Sequence, residues 1–154
     1  MENLGRPVIT DFGLSVFGDG GPHNHPIQPN SFRAPEVVIG AKWDYSVDVW
    51  NLGALIWELL CGKGPFDNDV SSSESSSESS SKDEKHLAAI ISLLGPPPAD
   101  LLARGNRSSQ YFDDDGKFKF PSLLHQEQAG IENLFTGIKE DERKLFMGFI
   151  LRIL

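Results

Sequence analysis

Ser46-Val47-Asp48-Val49-Trp50-Asn51-Leu52-Gly53-Ala54-Leu55-Ile56-Trp57-Glu58-Leu59-Leu60-Cys61-Gly62 is the stretch around which the rest of the chain is arranged. The Ser46 hydroxyl suits a helix N-cap, where it accepts a bond from an unpaired backbone N–H, and Gly62 suits the left-handed residue that closes a helix. Between them Val47, Val49, Trp50, Leu52, Leu55, Ile56, Trp57, Leu59 and Leu60 occupy nearly every helical face, which predicts a helix buried all round. The stretch is too short, and too interrupted by Asp48, Asn51 and Glu58, to span a bilayer, so it reads as the central helix of a soluble domain. Asp48 is the anomaly. A carboxylate one turn inside such a helix is costly unless backbone N–H groups or a cation satisfy it, so it is expected to hold another segment in place.

The 154 residues, 39% of them apolar and including ten Phe and three Trp, suffice for one ordinary domain with a core. A formal charge of −8 argues against a general nucleic-acid binder, because phosphate contacts need a basic surface; basic or neutral partners fit better. Cys61 is the only cysteine, which excludes an intramolecular disulfide and points to a reducing compartment. At the end of an apolar helix it reads as an inert buried thiol. No basic-then-apolar leader and no run of eighteen apolar residues occurs, so the expectation is an intracellular protein, cytoplasmic or nuclear, without a membrane contact.

On the N-terminal side, Val8-Ile9-Thr10 and Leu14-Ser15-Val16-Phe17 are short apolar runs separated by Asp11-Phe12-Gly13, and predict two strands joined by a tight turn. Residues 18–30 have the Gly, Pro, His, Asn and Asp content of a long surface loop. His23 and His25 lack a third ligand nearby, so solvated loop histidines are the stronger reading over a metal site. Pro35 suits the first turn of a short helix ending at Gly40. Past Gly62 a turn should tuck Phe66 onto the core.

The character of the chain changes at residues 67–82. Residues 71–81 are nine serines and two glutamates, a composition expected to be disordered, and residues 67–84 carry six acids against one Lys. Ser71, Ser75, Ser80 and Ser81 each have an acid three residues on, the pattern of acid-directed serine kinases; the alternative is a solvated linker. Asp83 should cap a helix over 84–94 with Leu87, Ile90, Ile91 and Leu94 on one face, ended by Gly95 and three prolines. Residues 99–103 read as a helical turn, Asp113-Asp114-Asp115 as a solvated turn ahead of a cation site, and 127–137 as weakly helical. The last helix, 140–154, has a stripe of Leu145, Phe146, Phe149, Ile150 and Ile153 and no C-terminal cap.

Four short motifs in order resemble the second half of a protein kinase domain: Asp11-Phe12-Gly13, a polar loop, Ala34-Pro35-Glu36, and Asp48-Val49-Trp50-Asn51-Leu52-Gly53. Arg33 before Ala-Pro-Glu points to the branch with cyclin-dependent, MAP and SR-protein kinases. Residues 82–95 with Tyr111-Phe112 and Gly116 are most similar to the SR-protein (serine/threonine) kinases. The fold implied is a mainly α kinase C-terminal lobe with a small N-terminal β element and a serine-rich insert. The resemblance divides the partial domain 1–154 into an activation segment over 11–36, a central helix over 47–61, an acidic insert over 67–82 and C-terminal helices over 83–154.

The resemblance also implies roles. Asp11 would be the magnesium ligand, with Phe12 and Gly13 beside the ATP cofactor, because phosphoryl transfer needs a cation on the β and γ phosphates. Asn30, Ser31, Phe32 and Arg33 would position a protein substrate. Ala34, Pro35, Glu36, Asp48, Trp50 and Gly53 would be structural, Asp48 accepting N–H bonds from the catalytic loop. No residue here matches the catalytic base, so no catalytic residue is assigned. The glycine-rich loop, ATP-orienting Lys and catalytic loop would precede Met1, and the arginine partner of Glu36 would follow Leu154, so the lobe is expected to be inactive alone. The alternative is a non-catalytic protein-binding module resembling a pseudokinase. Pro29 stands where the family carries a Thr, and Lys85 and Ser92 stand where acidic residues line the groove for arginine/serine-rich substrates.

Overall fold

The computed structural model describes residues 5, 6, 8–67, 81–124 and 139–154. In chain order its α-helices are α1 (Pro35–Val38), α2 (Ser46–Cys61), α3 (Lys82–Leu94), α4 (Ala99–Arg104), α5 (Ser108–Tyr111) and α6 (Glu140–Ile153), with single 3-10 turns at Phe12–Leu14, Gly18–Gly20, Asn30–Phe32 and Pro121–Leu123. Among the described residues there is no strand, only isolated bridges pairing His23 with Trp43 and Phe112 with Phe118.

α2 forms where expected, but its first turn is built differently. Tyr45 takes the N-cap position without a side-chain cap. The Asp44 carboxylate accepts the Ser46 N–H at 3.0 Å, and the Ser46 hydroxyl donates instead to Glu36 at 3.4 Å. Gly62 closes the helix in the left-handed conformation (φ 75°), its N–H donating to the Glu58 carbonyl at 2.8 Å. The expectation of burial on all faces is corrected: Val47, Trp50, Gly53, Ala54 and Trp57 are buried, whereas Val49, Leu52, Leu55, Leu59 and Leu60 are exposed. Among the described residues, packing partners reach one face only.

That face anchors two of the three clusters of the core. Val47, Trp50 and Ala54 pack with Ala34, Val37, Trp43, Phe66, Ala89 and Ile90, the Phe66 ring lying parallel to Trp50 at 5.4 Å between centroids. Trp57 meets Ile150 of α6, and full burial of one such side chain is worth about 2–3 kcal/mol. The remaining cluster joins α1 to α3 and α5 through Val38, Ile39, Ala41, Leu87, Tyr111 and Phe112. Gly40, at φ 69°, turns the chain after α1 so closely against Asn106 that a Cβ would lie 2.1 Å from its Oδ1. The Arg107 N–H then donates to Ile39 O at 2.8 Å.

α3 starts two residues earlier than expected and is capped by Ser81, not Asp83. Ser81 Oγ accepts from the Glu84 N–H at 3.2 Å and Glu84 returns a bond to the Ser81 N–H at 2.8 Å, a complete capping box. α5 was not legible as a helix. It exists because the N–H of Phe112 reaches the Ser108 carbonyl at 2.8 Å while Arg107 grips its surroundings. Asp113 accepts the N–H groups of Asp115 and Lys117 at 3.1 and 2.8 Å, so the acidic run is a local turn. α6 spans the expected helix, with Ile150 buried but Leu145 and Phe149 exposed.

The N-terminal β element is corrected. Residues 8–10 pair with nothing among the described residues, and Phe12–Leu14 is a 3-10 turn. Two short apolar runs with no third strand and no covering layer have too little to bury, which is why a lone hairpin is marginal in water. The serine-rich insert, apart from Asp67, Ser81 and Lys82, and the weak helix at 127–137 lie outside the described residues.

Candidate functional site

Asp11 has left-handed backbone geometry (φ 65°) and is exposed, as are Phe12 and Gly13. It opens onto a cavity of about 720 Å³ bounded by the 3-10 turn after it, the loop carrying His23 to Pro29, and Val47, Asp48 and Asn51 at the start of α2. Asp48 is exposed on this rim, which corrects the expectation of a buried carboxylate. Among the described residues no group of three or more His, Cys, Asp or Glu side chains is placed to hold a metal ion. The described residues therefore do not fit a complete magnesium–nucleotide site: Asp11, Asp44 and Asp48 border the cavity without forming a cluster that could hold the ion.

The loop histidines are not simply solvated. His23 exchanges backbone bonds with Trp43 at 2.9 and 2.8 Å, and its ring lies 4.9 Å from that of Trp43. The Trp43 indole N–H donates to the His25 carbonyl at 2.9 Å, so this tryptophan pins the loop to the body.

Residues 27–34 are held more firmly. Gln28, also left-handed at φ 69°, donates to Val47 O at 2.6 Å and accepts the Ala34 N–H at 2.8 Å, tying the segment to α2. Arg33 donates to the carbonyls of Ile27 and Gln28, both at 3.1 Å, and its guanidinium lies 3.6 Å from Asp83. Asp83 also accepts from Arg107 at 2.9 Å and from the Tyr111 hydroxyl at 3.3 Å, while Arg107 and Tyr111 contact each other directly. The His86 Nε2 lies 2.7 Å from Arg33 O. Sequence reasoning singled out Asn30, Ser31, Phe32 and Arg33. It missed Gln28, Asp83 as a clasp, His86 and Arg107, whose partners are far away in sequence.

Burial governs the titration of these groups. It pushes the His86 imidazole below its ordinary value, the Arg33 carbonyl opposing, and pushes the Tyr111 hydroxyl up with the help of Asp83. Burial also pushes the Cys61 thiol up, in keeping with an unreactive, half-buried cysteine.

Ala34, Pro35 and Glu36 open α1, Ala34 fully buried and Pro35 in its first turn. Glu36 has the Ser46 hydroxyl at 3.4 Å and no ion pair among the described residues. It borders a second cavity, of about 450 Å³, with Trp50, Ile153 and Leu154. The Trp50 indole N–H is buried without a hydrogen-bond partner among the described residues, and Gly53 sits so close to α6 that a Cβ would meet Ile153 at 2.6 Å. The structure thus brings Asp11 and Asp48 to one cavity, Glu36 and Trp50 to another, and 30–33 onto α2 and α3.

No helix among the described residues is long and apolar enough to cross a membrane. The protein kinase domain pattern matches residues 2–113. A serine/threonine protein kinase of Aspergillus fumigatus is 35% identical over 154 residues, covering 99% of this chain and 36% of that protein. The serine/threonine-protein kinase SRPK of Physarum polycephalum is 33% identical over 151 residues, covering 95% and 33%. The serine/threonine-protein kinase SKY1 of Saccharomyces cerevisiae is 36% identical over 123 residues, covering 80% and 16%. The chain spans about a third or less of the length of these curated relatives. With the match spanning the Asp11 turn, the Ala34-Pro35-Glu36 helix start and α2, the chain belongs to the protein kinase domain family.

Proposed function

We propose that this chain is the substrate-side, C-terminal lobe of an SR-protein-kinase-like serine/threonine kinase, with its activation segment over 11–36, and that these 154 residues alone do not transfer phosphate. The observation that carries the proposal is the contrast between Asp11 and Arg33. Asp11 is an exposed carboxylate on a cavity rim, whereas Arg33 is held by two carbonyls and Asp83. ATP with magnesium supplies the phosphoryl group and the neutralising charge in kinases. This chain's part is positional: Gln28, Arg33 and α3 fix the segment on which a protein substrate would lie. Lys85 and Ser92, in place of acidic residues, weaken docking of arginine/serine-rich substrates.

The test is titration of magnesium and ATP into the purified chain while following its thermal midpoint. A ligand present at 100 times its Kd adds about 2.7 kcal/mol to the native state, so binding cannot pass unseen. No shift is expected, and no transfer of labelled phosphate to a protein acceptor. A saturable, magnesium-dependent rise, or transfer, overturns the inactivity.

One observation favours a second reading, a non-catalytic protein-binding module. Leu59 and Leu60 of α2 and Leu145 and Phe149 of α6 are exposed, a larger apolar display than scattered surface residues need. The apolar side of α3 is not available for this, since it lies in the core through Leu87, Ala89 and Ile90. Partner capture that Leu59→Asp abolishes supports the module. Ser71–Ser81 remain proposed targets of acid-directed serine kinases, and mass spectrometry of the cellular chain tests this: absence of phosphate there leaves the insert a solvated linker.

A further inference from the structure

Asp83 and His86 stand three residues apart, on one face of α3, and both touch the same residue of the segment before α1. Asp83 faces the Arg33 guanidinium at 3.6 Å, and His86 Nε2 meets the Arg33 carbonyl at 2.7 Å. Because a carbonyl only accepts, Nε2 carries the proton of that bond and the neutral imidazole already satisfies it. The His86 side chain sits in the interior, with the Phe66 ring edge-on at 5.4 Å and 8% of the residue exposed. We infer that α3 is a two-point clamp on Arg33 whose histidine point is proton-sensitive, so that mild acid loosens residues 27–34 from α3.

The charges around the imidazole decide the sign. Arg33, from the clamped segment, opposes a second positive charge; Asp83, from α3 itself, and Asp67, from the turn after α2, favour one. Burial outweighs both carboxylates, because a charged imidazolium at this site gives up hydration that the Phe66 side cannot replace. The closed contact therefore holds the imidazole below its ordinary value near 6.5, and opening restores it. The stabilisation from neutral His86 is fully present above about pH 6.5 and is lost as pH falls through the lower closed-state value. The Arg33–Asp83 contact does not pass through the imidazole, so acid weakens the clamp at one point rather than removing it. The inference stands on these contacts and needs no phosphoryl transfer, so it survives or fails independently of the proposed function.

The experiment uses the full chain. Imidazole resonances are titrated from acid to neutral pH, with His86 assigned by its proximity to the Phe66 ring, and hydrogen-exchange protection of the Ala34 N–H is followed over the same range after correction for intrinsic rates. The expected result is a His86 midpoint below that of an unperturbed histidine, with Ala34 protection falling about three- to tenfold along the same midpoint. His86→Gln, whose carboxamide can still donate to the Arg33 carbonyl, should keep protection flat with pH. A His86 midpoint at or above the ordinary value overturns the inference, as does a parallel fall in His86→Gln. Should that variant fail to fold, the wild-type comparison decides alone: coincident midpoints support the clamp, and protection that does not follow His86 ends it.

Discussion

Residues 8–17 and 34–57 each carry a kinase motif, yet they are physically opposite. In the first, Leu14 is 94% and Phe17 90% exposed; in the second, Ala34 is 0% and Trp57 1% exposed. The motif that would meet the nucleotide thus lies on backbone that the described residues do not cover, and the scaffold motifs reach the core through Ala34, Trp50 and Gly53. Chemistry-bearing residues in loops depend on a scaffold to fix them. Among the described residues the scaffold is present for Arg33 and not for Asp11.

Mutations can break or sharpen that contrast. The largest effect is expected from Trp57→Ala, which should cost about 3–5 kcal/mol in denaturant unfolding by opening a cavity against Ile150. Leu14→Ala, an equally apolar truncation in the exposed region, should stay within about 0.5 kcal/mol. A cost for Leu14→Ala approaching that for Trp57→Ala would show that the two regions are not opposite.

Asp83→Ala comes next. It leaves Arg33, Arg107 and Tyr111 without their shared carboxylate, and because that carboxylate is only partly buried the expected loss is about 1–3 kcal/mol. Protection of the Ala34 N–H should fall with it; unchanged protection would mean that Asp83 joins α3 to α5 without holding Arg33. Gln28→Ala removes the bonds to Val47 O and from the Ala34 N–H, and should cost about 1–2 kcal/mol. If its thermal midpoint equals that of the wild type, the segment is held by Arg33 alone. The smallest effect is that of Ser81→Ala, which deletes one half of the capping box and should lower stability by about 0.5–1 kcal/mol. Asp83→Asn, by contrast, keeps that cap intact, so the pair of variants separates helix capping from clamping.

Much of the scaffold was legible. The apolar run of α2, closed by Gly62, and the α3 stripe ended by Gly95 are local patterns, since a helix is specified by residues three and four apart. Caps were less legible: Ser46 has capping chemistry but stands one residue past the N-cap Tyr45, with Asp44 accepting its N–H, and α3 is capped by Ser81 rather than Asp83. The expected strands failed because a strand needs a partner that its own residues do not specify. Of the site, the Asp11 turn and the 30–33 segment were visible as motifs. Gln28, His86 and Arg107 were not, because their bonds run to Val47, Arg33 and Val38 across 19, 53 and 69 residues.

By itself the sequence determined the family, the order of the motifs, the positions of the long helices and the acidic balance, since each follows from residue identity and short-range spacing. Only the tertiary structure decided which face of α2 is covered, that Asp48 is exposed on a cavity rim, and that Asp83 and His86 converge on Arg33. Those outcomes depend on which distant surfaces meet. Burial and pairing are properties of the assembled chain, not of any stretch within it.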